Sequence, residues 1–288
     1  MIPTRFDYHA PEDAAAAAQL LAEDPGGTRV LGGGTWVIPE LSRGETRPRV
    51  VVDLAHAGLG GIEQTDNGLR IGAMTTYADL LSSDEVAATA PLLRMVAGEI
   101  TGGWSLRNQG TIGGSAAAAR PQSDIPAALV ACDASAVIQG PTGVRRTPVA
   151  RLIAGAMRTS LQSGELVTAF ELPRWSSGAG YVKLKRYASS WPIVTASAGV
   201  TIRDGVCVAA RLVLGGAAAR PIVVDVTAVF VGEHVTPETI DGAAQAAADA
   251  VTEPWEDALA PGAYRAAIAA PAARRALTLA CVNETKGA

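Results

Sequence analysis

Val30-Leu31-Gly32-Gly33-Gly34-Thr35 and Thr111-Ile112-Gly113-Gly114-Ser115 are the two stretches whose reading decides the fold. Each glycine cluster follows a strand-like apolar run and precedes a more helical segment. Consecutive glycines carry no Cβ, so backbone N–H groups can turn toward an anion and approach it closely. Two such nests, far apart in sequence, suit a ligand with a diphosphate held between two parts of one fold. The first cluster is not a Rossmann fingerprint, because no G-x-G-x-x-G opens a helix with an acid about 20 residues later. It is not a P-loop either, since the Lys-Ser/Thr pair is missing.

Outward from the first cluster, Thr28–Leu31 reads as a strand and Pro11-Glu12-Asp13 as a helix start, with proline and acids in the first turn. Arg49–Leu54 gives a second strand and closes a small β-α-β-like unit near residue 56. Leu59–Ile62 and Leu69–Ala73 flank Thr65-Asp66-Asn67-Gly68, a hairpin turn. Tyr77–Leu81 and Glu85–Ile100 read as helices. Beyond the second cluster, Asp124–Ala131 reads as a helix, Ser135–Val149 as a hairpin turning at Thr142-Gly143, and Glu165–Leu172 as a strand. Ser176-Ser177-Gly178-Ala179-Gly180 has the composition of a linker. Tyr181–Tyr187, Ile193–Ile202 and Val206–Leu214 then predict a three-stranded antiparallel meander. Pro237–Val251 and Ala263–Val282 predict helices with alanine packing.

At 288 residues the chain has room for about two domains and a third small one. A hydrophobic fraction of 48% and a charged fraction of 18% describe a globular protein with ample core. The net charge of −4 and the lack of a basic run exclude a nucleic-acid footprint. Cys132, Cys207 and Cys281 are widely spaced and without CxxC pairing, which fits a reduced, cytoplasmic setting and argues against a cluster or structural zinc in this chain. The N-terminus has no apolar h-region, so no signal peptide is expected. No apolar run approaches the about 18 residues of a membrane span.

Candidate chemistry beyond the glycines is sparse. His9, His56 and His234 are isolated, and no G-x-S-x-G elbow occurs. Asp124 either contacts a ligand hydroxyl or caps the helix it precedes. Lys183 and Lys185 share one face of a strand and read either as cations near an electron-accepting ring or as a solvated face. Trp191 either stacks on a ring or fills a core.

The segment Arg107-Asn108-Gln109-Gly110-Thr111-Ile112-Gly113-Gly114-Ser115 resembles the RNxGTIGGN signature of the FAD-binding medium subunit of molybdenum hydroxylases. That family includes the carbon monoxide dehydrogenase flavoprotein subunit and the flavin domain of xanthine dehydrogenase. Val30–Thr35 resembles its other FAD motif, VxAGGT or VxAGGH. Tyr181-x-Lys183-x-x-Arg186 with Trp191 resembles its third motif. Ile71-Gly72-Ala73, Asp124–Leu129 and Gly164-Glu165-Leu166-Val167-Thr168 also fall in family order, so the resemblance covers essentially the whole chain.

The resemblance implies an α+β chain: a two-subdomain FAD-binding fold (PCMH/vanillyl-alcohol-oxidase-like), then a small C-terminal α/β domain with a three-stranded antiparallel sheet and helices. The implied division is residues 1–56, 57–175 and 176–288. FAD would lie between the first two parts, with Gly32, Gly33, Gly34, Thr35 and Trp36 and with Thr111, Ile112, Gly113, Gly114 and Ser115 around its diphosphate. Leu166 would line the site, Asp124 the ribityl side, Lys183 or Lys185 the ring, and Trp191 one ring face. Glycine-to-valine changes at Gly33 or Gly114 would then block the ligand while the chain stays folded.

The sequence departs from the family at three places. Ser115 replaces the usual asparagine, Ala118-Ala119-Arg120-Pro121-Gln122-Ser123-Asp124 replaces a HADPAAD-like stretch, and Ser190 replaces an acid. The function implied is electron transfer inside a heterotrimer, as a dimer of heterotrimers. A large partner would hold a molybdopterin cofactor, and a small partner two [2Fe-2S] clusters. The external acceptor would be NAD, a quinone or a carrier protein. Two other classes compete with it: a stand-alone FAD-dependent oxidase or reductase, and a scaffold that has lost FAD.

Overall fold

The computed structural model describes residues 2–175 and 178–287. Three larger sheets organise it, in an α+β arrangement, beside a two-stranded one of Ile153–Gly155 and Arg158–Thr159. The first is parallel, in the order Asp7–His9, Val50–Asp53, Thr28–Leu31. Parallel neighbours need crossovers, and the helices Ala14–Glu23 and Val37–Arg43 supply them. Pro11 and Glu12 stand outside the first helix rather than in its first turn. Asp13 is its cap, accepting the Ala16 N–H at 2.8 Å. The alanine run then lets Ala17 and Ala18 bury completely.

The second sheet is antiparallel, in the order Ile62–Thr65, Gly68–Gly72, Leu166–Pro173, Ser135–Gly140, Gly143–Pro148. Both expected hairpins form. The stretch expected as one helix over Glu85–Ile100 is two, Asp84–Thr89 and Pro91–Glu99. Proline lacks the N–H an interior turn needs, and Pro91 sits at the first helical position instead. The second glycine cluster is not preceded by a strand. A short helix, Gly103–Arg107, leads into it, and the helix Ile112–Ala118 starts inside it with Thr111 as cap.

The third sheet has four antiparallel strands, not the expected three: Gly178–Lys185, Pro192–Arg203, Val206–Gly215 and Ile222–Val224. The fourth is three residues long, too short to show an alternation. Of the expected linker, Ser176 and Ser177 lie outside the described residues, while Gly178–Gly180 open the first strand. Glycine is required there by packing, not by flexibility. A Cβ on Gly180 would fall 2.0 Å from the Ala276 carbonyl oxygen of the long helix Gly262–Gly287. That helix and Pro237–Asp249 bury Ala243, Ala247, Ala273 and Ala276 completely, so their alanines do serve close packing.

Each larger sheet has its own core, and the second core also takes in Ala179, Tyr181 and Val213 from the third sheet. No helix among the described residues is long and apolar enough to cross a membrane.

Candidate functional site

A cleft of about 500 Å³ opens between the first two sheets, and both glycine clusters line it. This volume is within the usual range of a small-molecule site, roughly 300–1,000 Å³. The two clusters differ in what they offer. The strand Thr28–Leu31 is an edge strand, and the loop leaving it is unpaired. The N–H groups of Gly32, Gly33, Gly34 and Thr35 donate to no acceptor among the described residues. Four consecutive free donors make an anion nest.

The second cluster is not a nest. Ile112 N–H donates to Thr75 O (3.1 Å), Gly113 N–H to Ala73 O (2.8 Å), Ser115 N–H to Thr111 O (3.1 Å) and Gly114 N–H to Thr111 Oγ1 (3.1 Å). Its amides are spent on holding the loop. What it gives the cleft is bare backbone and a hydroxyl: Ser115 Oγ and Tyr77 Oη lie 2.5 Å apart. Burial pushes the Tyr77 phenol up to about 12, so it stays protonated at neutral pH.

The two loops also touch each other, backbone to backbone. A Cβ on Gly33 would fall 1.7 Å from the Gln109 carbonyl oxygen. A Cβ on Gly114 would meet only Thr111 Oγ1, at 2.9 Å. Gly113 is pressed on Ala73, and Ile112 is fully buried in the core, outside the lining. Leu166 lines the cleft as expected, beside Glu165, whose carboxyl the Arg145 guanidinium holds below the usual range.

Trp36 ends the nest and is held from two sides. The Arg120 guanidinium carbon lies 3.6 Å from its ring centroid, and the Trp191 ring is 5.1 Å away at 31°. Trp191 therefore reaches the cleft edge from the third sheet. Arg120 also pairs with Glu40 at 2.8 Å, and the other Glu40 oxygen takes Arg29 at 2.6 Å. Sequence reading singled out neither Arg29 nor Glu40, and met Arg120 only as a departure from a motif. These pairs join residues as far apart as 80 positions, which no local spacing reveals.

Asp124, Lys183 and Lys185 form a separate cluster, outside the cleft lining. Ser123, not Asp124, is the cap residue of the helix Asp124–Ala131. The Asp124 carboxylate accepts the Tyr181 hydroxyl at 2.5 Å and Lys183 Nζ at 3.0 Å. Lys183 Nζ also donates to Glu99 O at 3.0 Å, and its side chain is only 1% exposed, so it is no solvated face. Burial pushes the Asp124 carboxyl up and the Lys183 amine down, each opposed by the attraction of the other. Lys185 is more open and lies 3.7 Å from Glu99.

A floor without side chains, four unclaimed amides and a flanking guanidinium pair fit a diphosphate. An amide-lined cleft between the first two sheets, followed by an antiparallel sheet packed on helices, has the architecture of a protein that binds a diphosphate-bearing cofactor.

The family model described as the FAD binding domain in molybdopterin dehydrogenase matches residues 4–175, and the CO dehydrogenase flavoprotein C-terminal domain matches residues 179–280. The chain is 36% identical, over 96% of its length and 97% of the relative's, to the carbon monoxide dehydrogenase medium chain of Afipia carboxidovorans. It superposes with a TM-score of 0.93 and 33% identity on carbon monoxide dehydrogenase from Hydrogenophaga pseudoflava, covering 98% of this chain and 99% of that one. With quinoline 2-oxidoreductase from Pseudomonas putida 86 the TM-score is 0.92 at 28% identity, covering 99% of each chain. The chain belongs to the FAD-binding medium subunits of molybdenum hydroxylases.

Proposed function

We propose that the chain is the electron-transfer subunit of a cytoplasmic heterotrimer, assembled as a dimer of heterotrimers. A large partner holds a molybdopterin cofactor, where substrate is oxidised, and a small partner holds two [2Fe-2S] clusters. Bound in the cleft, FAD supplies the chemistry that takes electrons from those clusters and passes them to an external acceptor: NAD, a quinone or a carrier protein. The observation that carries this reading is the run of four unclaimed amides at Gly32–Thr35, residues that line a cleft of cofactor size.

The chain's own residues divide the work. The amides of 32–35 receive the diphosphate. Gly113, Gly114 and Thr111 give it backbone to lie against, Ser115 and Tyr77 offer hydroxyls, and Leu166 gives an apolar wall. Trp191, packed against Trp36 at the end of the nest, stands where one face of an aromatic ring would rest. Asp124 and Lys183 act from behind, fixing the third sheet against the second at the ribityl and ring side, with Lys185 further out. With the chain divided at 1–56, 57–175 and 176–288, the cofactor would lie between the first two parts.

Co-expression with a large molybdopterin-type and a small iron–sulfur subunit, followed by a visible spectrum and cofactor analysis, tests the reading. One FAD for each copy of this chain is expected. A complex that contains molybdenum and iron but no FAD overturns it.

A further inference from the structure

Arg120 occupies the place where the family stretch carries an acid, yet it faces the same cleft as the unclaimed amides. We propose that Arg120 is a cofactor-binding residue of this chain, supplying the positive charge for the phosphate-bearing end of the ligand. The proposal rests on the flavin reading above.

The charge balance supports it. The acids that line the cleft are Glu40 and Glu165. Glu165 is matched by Arg145, and Glu40 by two guanidiniums, Arg29 and Arg120. The Arg29–Glu40–Arg120 group carries a net charge of +1 beside the nest; the nearby Glu45, which also feels Arg120, is paired with Arg43. The donor inventory supports it too. A guanidinium has five N–H donors in a rigid fork. Arg120 uses one nitrogen on Glu40, and its other two have no acceptor among the described residues. Its side chain remains 22% exposed, so those donors are open to a ligand.

The guanidinium is also fixed in advance. Its central carbon lies over Trp36, the residue that follows the nest, 3.6 Å from the ring centroid. The carboxylate of Glu40, itself 8% exposed, holds it from another side. A cation already locked in place loses little freedom on binding, so more of its interaction appears as affinity. A bidentate Arg–phosphate contact is among the stronger hydrogen-bonding arrangements available to a protein. An Arg120 that only propped Trp36 would favour aromatic ligands with or without phosphate. A phosphate contact favours phosphorylated ligands alone.

The experiment uses the full chain stripped of flavin, with FAD, FMN and riboflavin titrated into the wild type, Arg120→Ala and Arg120→Gln by flavin fluorescence at two salt concentrations. Both substitutions should weaken FAD and FMN by about tenfold or more, as expected for loss of a charge-assisted contact, and leave riboflavin unchanged. The salt dependence of FAD binding should flatten in the same variants. Arg120→Gln keeps a planar group over Trp36, so it carries the comparison if the alanine variant folds poorly. Equal loss of FAD and riboflavin, or no loss of either, overturns the proposal while leaving the flavin reading intact. A wild type that binds none of the three overturns both.

Discussion

A Cβ on Gly33 would fall 1.7 Å from the Gln109 carbonyl oxygen, whereas one on Gly32 would meet nothing nearer than Thr111 Oγ1 at 3.4 Å. The two neighbours therefore lack side chains for different reasons. Gly33 lets two loops touch backbone to backbone, and a backbone obstacle cannot rotate away. Gly32 keeps an ordinary contact and leaves the cleft wall flat. The expectation that a larger residue at Gly33 acts on the ligand alone does not survive this geometry, because the first clash is with the protein itself. Gly33→Ala should cost about 1–3 kcal/mol, the range for overpacking a tight site. Gly32→Ala should stay within about 0.5 kcal/mol of wild type. Urea unfolding of the flavin-free chain measures both, and a Gly33→Ala as stable as Gly32→Ala would contradict the loop contact.

Alternation along the strand Gly178–Lys185 puts Tyr181 and Lys183 on one face, and both meet Asp124 at the start of the helix Asp124–Ala131. Taking a carboxylate and an ammonium out of water is costly, and the directions of their pKa displacements say that burial works against both charges. Their mutual attraction opposes that penalty on both charges. Lys183→Met should therefore destabilise by about 3–5 kcal/mol, because it strands Asp124 with only the Tyr181 hydroxyl. Adding Asp124→Leu should restore part of that loss. A double variant no more stable than Lys183→Met in urea would show that the charge is not the source of the cost.

This pair also marks how far the sequence could be read. Alternation and turn residues made the long strands and both hairpins visible, and the glycine clusters pointed to the cleft. The face carrying Lys183 could not be recognised as interior, because its carboxylate partner lies 59 positions earlier. The strand Ile222–Val224 and the helix Gly103–Arg107 were too short to carry a period. Arg29, Glu40 and Arg120 were invisible as a site for the same reason as Lys183: tertiary packing, not spacing, brings them together.

The cleft takes its walls from two sheets and touches a third through Trp191, so occupancy should be felt across the chain. The third sheet is not loosely tethered. Ala179, Tyr181 and Val213 are buried in the second core, and Lys183 is tied to Asp124 and to the Glu99 carbonyl. A ligand that bridges the first two sheets thus stabilises a body to which the third is firmly attached. Binding to the folded state alone raises stability by about 2.7 kcal/mol when the free ligand stands at 100 times its dissociation constant. In scanning calorimetry of the isolated full chain, FAD at that excess should move the whole endotherm upward as one peak. The third sheet has a core of its own, but Ala179, Tyr181 and Val213 are buried in the second core, and that shared burial is what makes the two unfold together. An endotherm that splits on addition of FAD, with one component left at its original temperature, would mean that the third sheet unfolds by itself. The contacts of Tyr181 and Lys183 would then be too weak to couple it to the cleft.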